Sequence, residues 1–374
     1  MHLVYDTHTH AVSKTVLSIT VAESVTVIHR SAFKDCAHLT EITIPDGVKS
    51  IQEGAFYGCV SLKEVNFPSS VKEVGEGAFG DCTQLRSIDL NEGLVHIGSQ
   101  AFMGCQSLTH ITVPSTVDFL PIALFENSGL QNIMLRNGLV EMEEQAFRGA
   151  ADLRAVIIPA SCRQVGECAF SGLENLTVVT FEGSNVRIDE CAFWGCTSLQ
   201  TLTIMPTAVL DDDVDDENDN IRMDEDPFIG AAAFANCTML RNVTLGNCFI
   251  EIKERAFYNC SSLEKVNIPS GVMHVGDEAF ASSHSLREVT MCAGLQSMGE
   301  YVFCDCKSLE VIHCPATIDK IPAGTFSGCV NLRTVILCEG LLSIDDDAFE
   351  GCPLSRHDIA IPSTVRYISD SAFS

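Results

Sequence analysis

The sequence predicts a repeat solenoid, mainly β, and three observations carry that prediction. A phenylalanine returns at Phe33, Phe56, Phe79, Phe102, Phe125, Phe147, Phe170, Phe193, Phe234, Phe257, Phe280, Phe303, Phe326, Phe349 and Phe373, and eleven of the fourteen intervals are 23 residues. Aliphatic residues recur at fixed places inside each interval, as Leu39, Ile42, Ile44, Val48 and Ile51 do in the first and Leu263, Val266, Ile268, Val272 and Val275 in the tenth. A unit this short cannot bury an apolar side alone and must bury it against its neighbours. The register gives 14–15 coils.

Each element of the coil follows from its residues. Ile42 and Ile44 alternate with polar residues, the period of a half-buried strand. Proline then closes that strand at Pro45, Pro68, Pro114, Pro159, Pro269 and Pro315, because it has no N–H for a ladder. Val48 and Ile51 mark a second, shorter extended stretch. The Ala-Phe-x-x-Cys segment that follows is long enough for only a short helical turn. Acids cluster three residues before the phenylalanine, as Glu53, Glu76, Glu254 and Asp277 do, and the expectation is that they cap this turn. At about 4.8 Å per coil the stack is a rod on the order of 70 Å long.

Composition limits the partners. The 374-residue chain carries a net charge of −27 and is 46% hydrophobic, so it can fill a core and remain soluble. That acidity argues against nucleic acid and anionic membrane as partners, since phosphate binding needs a cationic surface. No apolar run approaches the ~18 residues of a membrane span. The start, Met1-His2-Leu3-Val4-Tyr5-Asp6, lacks the basic-then-apolar pattern of a secretory signal. The expected location is therefore cytoplasmic, with the cell surface or secretion as the alternative if the chain is a fragment. Residues 1–15 read as a poorly ordered leader and 16–374 as one solenoid. No polar cap follows Phe373, which leaves self-association through the ends open.

Ten of the 18 cysteines stand three residues after a phenylalanine, and Ser128, Ala150, Leu173 and Ser283 replace them elsewhere. Small or apolar replacements fit a buried filler, so free thiols are expected. Two motifs are decoys. Gly75-x-Gly77-x-x-Gly80 matches a dinucleotide fingerprint, but no crossover helix can follow it. Asp6-Thr7-His8-Thr9-His10 resembles a metal-binding His-x-His, but no barrel supplies further ligands. No catalytic constellation emerges, and neither an enzyme nor a cofactor is expected.

The repeat Leu-x-x-Ile-x-Ile-Pro-x-x-Val-x-x-Ile-x-x-x-Ala-Phe-x-x-Cys resembles the BspA-like class of leucine-rich repeats, over residues 16 to 373. The resemblance implies a curved, right-handed solenoid with the first strand on the concave side. It also implies a non-enzymatic binding protein, some bacterial members being surface adhesins.

The candidate partner is a protein or peptide, and two residue columns are candidates to contact it. Outward strand positions include Thr112, Thr180, Thr203, Thr244 and Thr290, although Thr favours strands in any case. The second column holds Lys63, Arg86, Arg154, Arg241, Arg287 and Arg333, each seven residues after a phenylalanine. These cations either form an internal ladder with neighbours such as Glu41, Glu64 and Glu288, or read an acidic peptide. An insertion at 207–228 holds ten acids against one Arg222. It is expected to be a solvated loop, with docking of a basic partner and calcium binding along Asp215–Asp226 as alternatives.

Overall fold

The computed structural model describes residues 2–6, 12–205 and 226–374. The chain divides into two compact units, Met1–Leu176 and Thr177–Ser374. Both are built from one kind of coil, and the fold is a parallel β-solenoid.

One coil shows how the sequence does this. Lys265–Ile268 is a strand in which Val266 and Ile268 are buried while Lys265 and Asn267 face out. Pro269 follows, the chain turns, and His274–Val275 forms a short second strand with Val275 inward. A chain of turns then carries Ala279 and Phe280 into the core, both fully buried. The two-residue pleat is all that is needed to sort apolar from polar here.

Coils stack by parallel pairing on each side. In the first unit His2–Tyr5, Ser18–Val21, Glu41–Thr43, Glu64–Val65 and Ser87–Ile88 form one ladder. Val27–Ile28, Ser50–Ile51, Glu73–Val74 and His96–Ile97 form another. In the second unit Lys265–Ile268 pairs with Glu288–Met291, then Val311–His313, then Thr334–Ile336. Its short strands run from Arg187–Ile188 through Phe228–Ile229 to Ser297–Met298. The segment expected to be a poorly ordered leader thus contains a strand, His2–Tyr5, whose Tyr5 ring packs edge-on to Phe33 at 4.9 Å.

The turn side needs a correction. No helix occurs among the described residues, and the expected short helical turns are absent. The reason is a left-handed residue on each side of the phenylalanine, such as Gly54 (φ 59°) and Gly58 (φ 71°) around Phe56, or Arg255 (φ 54°) and Asn259 (φ 55°) around Phe257. Such a residue interrupts the run of right-handed dihedrals that any helical turn requires. The N–H groups freed in this way go to the neighbouring coil: Phe33 N–H donates to Ala55 O and Phe257 N–H to Ala279 O, both at 2.8 Å. The capping expected of Glu53 or Glu254 is likewise done by backbone, since their carbonyls accept the N–H groups of Ser31 and Ala232 at 2.9 Å. Asp277 is an exception, its Oδ1 accepting the Glu300 N–H at 2.8 Å.

The phenylalanines form a ring stack inside each unit. Spacings include 5.0 Å for Phe56–Phe79 and 4.7 Å for Phe147–Phe170 in the first unit, and 5.3 Å for Phe257–Phe280 in the second. Phe193 and Phe234 also stack, at 5.0 Å, although 41 residues separate them. Strand Thr201–Ile204 precedes the intervening acidic segment and strand Phe228–Ile229 follows it, while residues 206–225, with most of the calcium-loop-like run, lie outside the described residues.

Leu263 is fully buried at the heart of one coil. Its replacement by Ala is expected to cost about 2–5 kcal/mol through lost burial and a residual cavity. Urea unfolding measures this, and a change near zero would contradict the register.

Candidate binding surface

The Gly75-x-Gly77-x-x-Gly80 match has a packing explanation at every glycine. A Cβ on Gly75 would lie 2.5 Å from the Glu53 nitrogen, Gly77 has φ +55°, and a Cβ on Gly80 would lie 2.8 Å from the Tyr57 ring. His8 and His10 of the leader motif lie outside the described residues. Among the described residues no group of three His, Cys, Asp or Glu could hold a metal ion.

The nearest approach to a catalytic set is Glu251, His274 and Ser297, in register on three adjacent short strands, with His274 Nδ1 2.8 Å from Ser297 Oγ. Sequence reading missed this row because its members are 23 residues apart and meet only once coils stack. It stands on an open face. The adjacent N–H groups of Gly276 and Gly299 are already donated to Ile252 O and Val275 O at 2.7 Å, so they cannot stabilise an oxyanion.

The cysteines are all free, and those of the repeated column have a role that spacing alone does not reveal. In eight of the ten the Sγ–H points at the carbonyl of the phenylalanine one coil earlier, as Cys59 does to Phe33 O at 3.1 Å, Cys82 to Phe56 O at 3.2 Å and Cys329 to Phe303 O at 3.2 Å, while Cys36 is directed at Ser13 O. Of the two serine substitutes, Ser283 Oγ makes the same bond to Phe257 O at 3.5 Å, whereas Ser128 Oγ is buried without a hydrogen-bond partner among the described residues. The column therefore fills volume and supplies a weak donor to a buried carbonyl. Burial pushes the thiols of Cys59 and Cys105 up to about 12, and it raises Cys82 and Cys237 well above the ordinary value. Such thiols are inert at neutral pH.

What remains is the outward side of the long strands. Thr180, Thr203 and Thr244 stand in one cross-strand row of the second unit, and Asn267 stands opposite Thr290. In the first unit Thr112 lies beside Met134. Met134 and Ile157 are exposed on this largely polar face, at 57% and 55%, and Val4 and Ile336 are exposed in the corresponding rows.

All six cations of the second column are exposed. In the first unit Lys63 and Arg86 occupy adjacent coils, the Arg86 N–H donating to Lys63 O at 2.9 Å, whereas Arg154 is three coils further on. In the second unit Arg241, Arg287 and Arg333 fall on every second coil, with Glu264 and Glu310 between them. Among the described residues, the side chains of Lys63, Arg86, Arg241, Arg287 and Arg333 form no ion pair or hydrogen bond. The acids expected to pair with them are engaged elsewhere or face each other. Glu288 holds Lys265 at 2.6 Å, and Glu41 stands directly opposite Glu64.

A parallel solenoid whose long strands present an open outward face is the architecture of a repeat protein. The sequence matches the family described as BspA type Leucine rich repeat region (6 copies) over residues 10–131, 119–210, 224–318 and 297–374, and the chain belongs to that family. Among solved structures it is similar to a leucine-rich repeat protein from Bacteroides ovatus ATCC 8483, with 26% identity, TM-score 0.61, and 95% of this chain and 84% of that one covered. It also aligns with a leucine rich cell surface protein from Faecalibacterium prausnitzii A2-165, with 24% identity, TM-score 0.44, and 96% and 89% covered. No curated protein matches the chain significantly.

The raised thiol values set a pH dependence. A thiol of pKa 9.0 when unfolded and about 12 when buried leaves the folded state binding more protons between those values. Its contribution is fully present below pH 9.0 and is lost progressively as pH rises toward about 12. Melting temperature is expected to fall between pH 8.5 and 11 by about 4 °C or more, and a flat profile would contradict the assignment.

Proposed function

We propose that this protein is a non-enzymatic, cytoplasmic protein-interaction scaffold that takes its partner on the outward face of the long strands. The observation that carries the reading is the pair Met134 and Ile157, two large apolar side chains exposed side by side in successive coils of a largely polar face. A rigid sheet holds them without the ordering cost a loop would incur, which is how repeat scaffolds bind. The unpaired cations Lys63 and Arg86, on the same face of the first unit, add a site for carboxylates. The partner this face fits is a protein segment with acidic side chains followed by apolar ones. Buried, unbridged thiols in so many coils suit a reducing compartment and support the cytoplasmic placement.

The test is capture of proteins from the native source by the full chain and by the double variant Met134→Asp with Ile157→Asp. The face is exposed, so stability is expected to change by under about 0.5 kcal/mol. A defined partner retained by the parent and weakened about tenfold or more by the variant is the expected result. Equal retention by both would refute the placement.

A further inference from the structure

The long-strand face of the second unit is complementary in charge to itself. Seven residues after successive phenylalanines it presents Arg241, Glu264, Arg287 and Glu310, and beside this column lie Lys265 and Glu288. Stacking is direct: the Arg287 N–H donates to Glu264 O at 2.9 Å, and Lys265 is the cross-strand partner of Glu288. Charge therefore alternates along the column and across it. All six side chains are exposed.

We infer that this face pairs with the same face of a second copy through a two-fold axis. The axis lies in the plane of the face, perpendicular to the columns, between the coils of Glu264 and Arg287. Rotation about it reverses the order of coils but keeps each column facing itself. Glu264 then meets Arg287 of the second copy, Lys265 meets Glu288, and Arg241 meets Glu310. Symmetry makes each contact twice, and no like charges are opposed. In the adjoining row the same axis sets Asn267 against Thr290, again a polar match. Two-fold pairing requires such self-complementarity of a single patch.

Two observations favour a second copy over the other occupants. An internal ladder would close Arg287 onto Glu264 or Glu310 as Lys265 closes onto Glu288, yet Arg241, Glu264, Arg287 and Glu310 have no side-chain partner among the described residues. An acidic peptide would meet Glu264 and Glu310 at alternate coils and be repelled there. The inference shares with the scaffold reading only the strand side used. It concerns the purified chain alone, so its failure leaves capture by the first unit standing.

Sedimentation equilibrium of the full chain tests it. At about 0.01 M ionic strength a reversible dimer is expected, dissociating as salt approaches about 1 M and the screening length falls roughly tenfold. Arg287→Glu sets acid against Glu264 and is expected to weaken the dimer about tenfold or more, as is Glu264→Arg. The two substitutions combined restore the pairing and should restore the dimer. A monomer at low salt, a dimer indifferent to Arg287→Glu, or a double variant no better than either single one would each overturn the inference.

Discussion

The structure depends on one constraint: a coil of 23 residues encloses an apolar interior only if another coil lies on it. The phenylalanine stack is where this is most visible. Ring spacings of about 5 Å, such as 5.0 Å for Phe56–Phe79 and 5.3 Å for Phe257–Phe280, match the separation of neighbouring strands. Backbone bonds follow the same spacing on every side of the coil, at the long strand, the short strand and the turn. The cysteine thiol joins this arrangement by bonding the phenylalanine carbonyl one coil back. A substitution at one of these inward positions is therefore felt in the coil above and the coil below.

Much of this was legible in the sequence because the inward residues are repeated, and repetition is a strong signal. Ile42, Ile44, Val48 and Ile51 could be assigned inward from spacing alone, and each is buried. The thiols could be read as filler from their replacements, Ser128 and Ser283. Their hydrogen bonds could not, because the acceptor carbonyl lies 26 residues away and only the stack brings it near. The turn was misread for a local reason. Two residues before the phenylalanine, side chains such as Arg255 and Tyr301 give no hint of the left-handed conformation. Two residues after it, the recurrence of Gly58, Asp81, Gly104, Asn127 and Asn259 is a signal of that conformation that the spacing of apolar residues does not carry.

The surface was less legible. The cation column was visible as a statistical excess, but pairing depends on rotamers and on neighbours in adjoining coils. Glu288 lies beside Arg287 in the chain yet holds Lys265. Met134 escaped notice because the 22-residue interval after Phe125 sets it nine residues after the phenylalanine, whereas Ile157 keeps the usual ten and is hidden among the aliphatics of its strand. That division explains how such a chain can acquire function. Inward positions are held by the stack, while outward positions change at little cost and can be shaped by a partner, or by a second copy.

The most direct measurement is a double-mutant cycle on the ring stack. Phe257→Leu and Phe280→Leu remove rings 5.3 Å apart, and Phe257→Leu with Phe326→Leu removes rings three coils apart. Coupling between adjacent coils predicts an interaction energy of about 0.5 kcal/mol or more for the first pair, and additivity within roughly 0.5 kcal/mol for the second. Additive losses for the adjacent pair would mean that each coil holds its own ring, and the account would fail.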